Sequence, residues 1–197
     1  MNLPDLKKLV TDTRSIRRFR EYSIIDRQTL VNLIELARLT PSSMNRQPLK
    51  YIIINNPELR TQFFKCLRWA AALKDWDGPT PGERPAAYVL ILGDTQLSKN
   101  FSVDPGIVAL TIALGARTEE IGACIQASID KTEARKLLNL HERYEILLVV
   151  ALGKPAETVQ LENMPESGNF DYWRDADSVH HVPKRSLREL ILAEYTD

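Results

Sequence analysis

Three short apolar runs set between helix-patterned segments predict a sheet with helical cover, of the α+β or α/β class. The runs are KYIIIN at 50–55, AAYVLIL at 86–92 and YEILLVVAL at 144–152. All three are rich in β-branched and aliphatic residues, which favours strand. The first is bounded by Pro48 and Pro57, and the last is closed by Gly153 and Pro155.

The helices follow from spacing and caps. Asp26 can cap a helix, and Ile25 can pack back on Leu30 as a staple. Leu30, Leu33, Ile34 and Ala37 then form one buried stripe, and Pro41 stops the helix. Pro57 suits the first position of a helix expected to run to about Leu73. Residues 75–85, DWDGPTPGERP, are expected to form a mobile loop. From Asp104 to Ser128 the chain is apolar on nearly every side, which predicts one long helix buried in a core or an interface. Gly115 and Gly122 within it mark close approach of another backbone or a ligand. Lys131 to Asn139 reads as a short amphipathic helix and Ser186 to Glu194 as a final one. Residues 156–182 are polar and irregular, and too long for a plain connection, so an extended arm or a functional loop is expected there.

Composition limits the function classes. A chain of 197 residues suggests one domain, at most two, and no repeat or clear boundary divides it. With 44% hydrophobic and 26% charged residues it reads as globular rather than disordered. The 26 acidic residues balance 26 basic ones, so the chain is no general nucleic-acid binder and any anion site must be local. Cys66 and Cys124 are too few for a disulfide framework and lack metal-ligand spacing, which fits a reducing cytoplasm. The opening residues, MNLPDLKKLV, lack the apolar stretch of a signal peptide, and no apolar run reaches the ~20 residues of a membrane span.

No Gly-rich phosphate loop, Gly-x-Ser-x-Gly motif or paired catalytic carboxylates stand out. His180-His181 is an adjacent pair whose side chains would point apart in a strand, so no metal is expected. Two stretches do carry chemistry. Arg14, Ser15 and Arg17 place two guanidinium forks and a hydroxyl within four residues, which suits a phosphate. The same spacing also fits a solvated helix end. Lys184-Arg185 is a second basic pair that could share the anion. The run Pro41-Ser42-Ser43-Met44-Asn45-Arg46-Gln47-Pro48 is the other stretch. Asn45 and Gln47 each offer an amide that donates and accepts, which suits the edge of a heterocycle. A helix stop followed by ordinary turn chemistry would look alike.

Taken together, the motifs resemble the nitroreductase family of FMN-dependent oxidoreductases. Arg14-Ser15-Ile16-Arg17-Arg18-Phe19 is followed by Pro41-Ser42-Ser43-x-Asn45-x-Gln47-Pro48 and a strand, as in that family. Asp104-Pro105-Gly106-Ile107 resembles the opening of its long helix, and Glu120-Ile121-Gly122-Ala123-Cys124-Ile125 resembles its Gly-Leu-Gly-x-Cys segment. Glu145 to Pro155 is similar to its last core strand, and Lys184-Arg185-Ser186-Leu187 to its basic C-terminal element. The likeness runs in order over about residues 10 to 192.

The resemblance implies an α+β fold: a central, mostly antiparallel sheet flanked by helices, in an intertwined homodimer. It implies a single FMN-binding domain over 1–197, with an extended arm from about 156 to 197. FMN would lie twice at the dimer interface. Arg14, Ser15 and Arg17 would hold its phosphate with Lys184 and Arg185. Pro41, Ser42, Ser43, Asn45 and Gln47 would approach the ring from the partner subunit. Ile121, Gly122 and Ala123 would face the isoalloxazine through backbone near N5. No side chain is then required as a catalytic group, since the flavin carries the hydride chemistry. Arg18 and Arg20 would stay structural or solvated. The implied activity takes hydride from NADH or NADPH and passes it, in a ping-pong cycle, to a small-molecule acceptor such as a nitroaromatic or a quinone. A specialised relative acting on one metabolite, or a flavin-storage protein without turnover, would share these motifs. Two departures stand out: Thr13 occupies a position that is arginine in many members, and Glu120 replaces the first glycine of Gly-Leu-Gly. Trp69 and Trp76 could stack on a substrate or simply pack.

Overall fold

The computed structural model describes residues 1–196. In chain order its elements are α1 (Leu3–Asp12), β1 (Phe19–Arg20), α2 (Arg27–Arg38), a 3-10 turn (Ser43–Asn45), β2 (Leu49–Ile54), α3 (Pro57–Phe64) and β3 (Ala87–Asp94). There follow α4 (Asp104–Thr118), β4 (Gly122–Gln126), α5 (Lys131–Leu137), β5 (Tyr144–Pro155), β6 (Val159–Asn163), β7 (Trp173–Arg174), β8 (His180–Lys184) and α6 (Leu187–Leu190).

β5 organises the main sheet. β3 lies along one edge of it with β2 beyond, while β4 and the short β1 share its other edge. Every pairing in this sheet is antiparallel, so the fold is α+β. All of β3 is buried, because both faces of the sheet are covered. Its side chains alternate between two cores. Val89 and Ile91 meet Leu30, Leu33 and Ala37 of α2 and Ile112 and Ala116 of α4. Tyr88, Leu90 and Leu92 meet Phe63, Leu67, Trp69 and Ala134. Full burial of each large side chain contributes about 1.5–3 kcal/mol. The α2 start is as expected: the Asp26 side chain accepts from Thr29 N at 2.9 Å, and Ile25 shares a core with Leu30.

Four expectations need correction. Residues 104–128 are not one helix: α4 ends at Thr118, Glu120 takes a left-handed φ of +57°, and the chain returns as β4 against β5. An apolar run with helix and strand stretches in succession carries too little periodicity to reveal its break. Its glycines do mark close approach, but by side chains. A Cβ at Gly115 would lie 2.6 Å from Leu36 Cδ1, and one at Gly122 would lie 2.8 Å from Ile16 Cγ1. The second correction is α3, which stops at Phe64 because Leu67 turns to bridge Ile129 and the Cys66 carbonyl accepts from Asp130 N. Third, the segment after Pro155 is folded into a three-stranded sheet, β6-β8-β7. Fourth, α6 spans only Leu187–Leu190. An additional helix, α1, opens on a capping box in which Asn2 and Asp5 each accept the other's backbone N–H.

Candidate functional site

One cluster forms where β1, β4 and the arm meet. Ile16 N donates to Ala123 O at 2.9 Å, which lays Arg14-Ser15-Ile16 along Ile121-Gly122-Ala123. Arg14 donates from Nη2 to Val10 O at 2.7 Å, while its Nε is buried without a partner. Burial lowers the pKa of this guanidinium from its ordinary value, and it stays a cation. Ser15 is exposed. Arg17 donates from Nη1 to Ser15 O at 3.3 Å, contacts His180 Nε2 at 3.1 Å, and lies 4.5 Å over the Tyr172 ring. Glu157 takes up the neighbouring backbone. Its Oε1 accepts from Arg17 N and, at 3.1 Å, from Arg18 N; its Oε2 accepts from Arg174 Nη2 at 2.8 Å. Arg18 is structural, near Glu83 and Trp76, whereas Arg20 is exposed.

The second cluster is the Pro41–Gln47 loop. Buried Asp104, in the first turn of α4, accepts from Ser42 Oγ at 2.6 Å and from Ser43 N at 3.0 Å. Ser42 Oγ in turn accepts from Gln47 N at 3.0 Å. Met44, Asn45 and Gln47 hold φ values of +51°, +54° and +49°. A non-glycine residue in this region costs roughly 1–2 kcal/mol, so the loop stores strain that its Asp104 anchor helps to hold. Asn45 and Gln47 stay exposed. A cleft of about 200 Å³ opens beside Pro41, Ser42, Gln47, Tyr51 and Asp104. Burial, together with the Asp104 charge, pushes the Tyr51 phenol up to about 12.

The two clusters are far apart. Ala123 is level with Leu152 and hence with Ala87, where β3 begins. Pro48 O accepts from Asp94 N, where β3 ends. The eight residues of β3 put the clusters about 23 Å apart along the strands. Three strand spacings, from β4 through β5 and β3 to β2, add about 14 Å across. Lys184 and Arg185 are exposed at the far end of β8, with Lys184 about 13 Å along the strand from His180. Arg185 pairs with Glu189 at 3.0 Å.

The nitroreductase family model matches residues 10–154 of this chain. The chain belongs to that family. It is 25% identical over 158 residues to a provisionally named NADH dehydrogenase/NAD(P)H nitroreductase of Archaeoglobus fulgidus, covering 76% of this chain and 85% of the relative. A similarly named protein of Methanothermobacter thermautotrophicus is 24% identical over 178 residues, covering 86% and 88%. The crystal structure of a provisionally named nitroreductase from Desulfovibrio desulfuricans, in complex with FMN, matches with a TM-score of 0.68 over 100% of both chains at 19% identity. That last likeness is one of fold.

In this nitroreductase the family match stops at Lys154, so Glu157, Tyr172, Arg174 and His180 all come from the arm beyond it. Sequence reasoning missed these four, and it missed Asp104 as the anchor of the Ser42–Ser43 turn. The only cue in the sequence was His180-His181. Trp69 and Trp76 pack: Trp69 is buried against Phe64, and Trp76 faces the Arg174 guanidinium at 4.2 Å. Among the described residues no helix is long and apolar enough to cross a membrane.

Proposed function

We propose that this family member is a homodimeric, cytoplasmic FMN-dependent oxidoreductase that accepts hydride from NADH or NADPH and delivers it to a nitroaromatic or quinone in a ping-pong cycle. One observation carries the reading: a cationic cluster and a polar loop, both with unspent donors, lie at opposite corners of one sheet. A two-fold dimer can bring the corner of one chain to the opposite corner of its partner.

The residues suit FMN. The unpartnered buried Nε of Arg14, the exposed Ser15 hydroxyl and the free N–H groups of Arg17 are donors for an anion. Lys184 and Arg185 are assigned to the same phosphate across or along the interface. Pro41, Ser42, Ser43, Asn45 and Gln47 are assigned to the ring of the partner's flavin, and backbone at Ile121, Gly122 and Ala123 to its face. When bound, FMN supplies the hydride-accepting and hydride-donating chemistry. The chain binds and orients: its cations hold the phosphate and its polar loop meets the ring edge. The dimer is supported by an apolar stripe running from Val103, just before α4, along the helix: Val103 (61%) and Leu110 (51%) are exposed and Ile107 and Leu114 half-buried.

The test is optical. Purified protein should be yellow, bleach anaerobically with NADH or NADPH, and reoxidise with menadione or a nitroarene. Yellow protein that no nicotinamide bleaches would favour storage. A colourless chain that takes up no added FMN would sink the proposal.

A further inference from the structure

We infer that His180 is a positioning residue: a buried, neutral imidazole that aims the Arg17 guanidinium at the flavin. The inference rests on the reading of Arg17 as a flavin contact. His180 opens β8 and is completely buried, with its backbone N–H bonded to Thr158 O at 2.9 Å. A guanidinium has five donors and no acceptor. The 3.1 Å contact of Arg17 Nη1 with His180 Nε2 therefore requires a lone pair on Nε2 and the ring proton on Nδ1. Nδ1 is buried and has no partner among the described residues. Leaving such a donor unpaired costs on the order of 1–3 kcal/mol. An apolar side chain would fill the same space without that cost, so packing alone does not account for a histidine here.

The surroundings keep the ring neutral. Burial, then the charges of Arg17, Arg174 and His181, push its pKa down to about 4. Tyr172 completes the clamp, its ring 5.1 Å from that of His180 and 4.5 Å from the Arg17 guanidinium carbon. Glu157 fixes the Arg17 backbone from below. Arg17 is thus held through Nη1, through its face and through its main chain. Its Nε and Nη2 have no protein partner among the described residues and are left for a ligand. The three clamping residues all lie outside residues 10–154, so the arm adds this clamp to the family core.

The experiment compares the parent with His180→Leu, His180→Gln and Arg17→Ala. The readouts are the FMN dissociation constant by fluorescence quenching and the phosphorus NMR shift of the bound FMN phosphate. His180→Leu should weaken FMN binding about tenfold and move the phosphorus shift toward that of free FMN, because the cation is no longer held at the phosphate. His180→Gln, whose amide oxygen can accept from Nη1, should recover most of both. In an Arg17→Ala background His180→Leu should add nothing further. Should His180→Leu fail to fold, Tyr172→Leu at a half-buried position carries the same expectation. Imidazole nitrogen shifts of the parent should report the Nδ1–H tautomer, with or without flavin. Parent-like affinity and phosphorus shift in His180→Leu, an equal loss in the Arg17→Ala background, or an Nε2–H tautomer would each overturn the inference. An Arg17→Ala variant that binds FMN as the parent does would instead overturn the flavin role of Arg17, and the inference with it.

Discussion

Glu120 keeps a left-handed backbone, φ +57°, at the position where the resemblance puts a glycine. The fold therefore needs the turn between α4 and β4, and a side chain tolerates it at a cost. Glu120→Gly should stabilise the protein by about 0.5–1 kcal/mol after the larger unfolded-state entropy of glycine is counted. A denaturant midpoint unchanged or lowered would contradict this. Arg14 and Arg17 carry the second expectation at this scale. Each charge-assisted contact is worth roughly 1.5–3 kcal/mol, so alanine at either should weaken FMN about tenfold or more, read by equilibrium titration of the apoprotein. These residues can be proposed from the sequence because their chemistry is local: two forks and a hydroxyl within four positions. Glu157 and His180 were not. They act on Arg17 from 140 and 163 residues away, and no local pattern marks such a partner.

At the scale of elements, the arm shows why legibility failed after Pro155. β6, β7 and β8 are short, polar and half-exposed, so neither alternation nor apolar runs identify them. They are held by pairing with one another and by contacts of His180 with Arg17 and of Arg174 with Trp76. β8 also carries two histidines with opposite titration. Protonating His180 is opposed by burial and by the surrounding cations. Its native pKa is depressed, so stability should rise with pH from about 4 to the ordinary imidazole value near 6.5. His181 bonds to Asp175 Oδ2 at 3.0 Å and sits 3.3 Å from Glu162, which raises its pKa. Its contribution is therefore present below about 6.5 and lost as pH rises through the elevated native value. Melting temperature against pH should show a maximum near neutrality. His181→Gln should flatten the alkaline limb and His180→Leu the acid limb. Parallel curves for all three proteins would refute the assignment. The strands at 50, 86 and 144 were readable because burial on both faces makes them continuously apolar. The same property hid the break between α4 and β4.

At the scale of the whole molecule, one chain leaves further apolar surface exposed. Beyond the α4 stripe, α1 exposes Leu3 and Val10, and the C-terminal segment exposes Leu187 and Leu192. A stable dimer that buries such surface would typically cover 2,000 Å² or more. Leu110→Glu should yield monomers in sedimentation equilibrium and lose FMN at the same time, since each proposed site draws on two chains. Monomers that retain parent-like FMN affinity would contradict a shared site.

Sites shared across the proposed dimer, from clusters at opposite corners of the sheet, would have a genetic consequence. A chain defective in Arg14 and Arg17 and a chain defective in Asn45 and Gln47 should each be inactive alone. Produced together, they would form mixed dimers in which one site inherits both lesions and the other inherits none. With random pairing, about a quarter of all sites would be intact. Two dead alleles of this one sequence should therefore complement each other in a single cell, whereas two lesions in the same cluster should not.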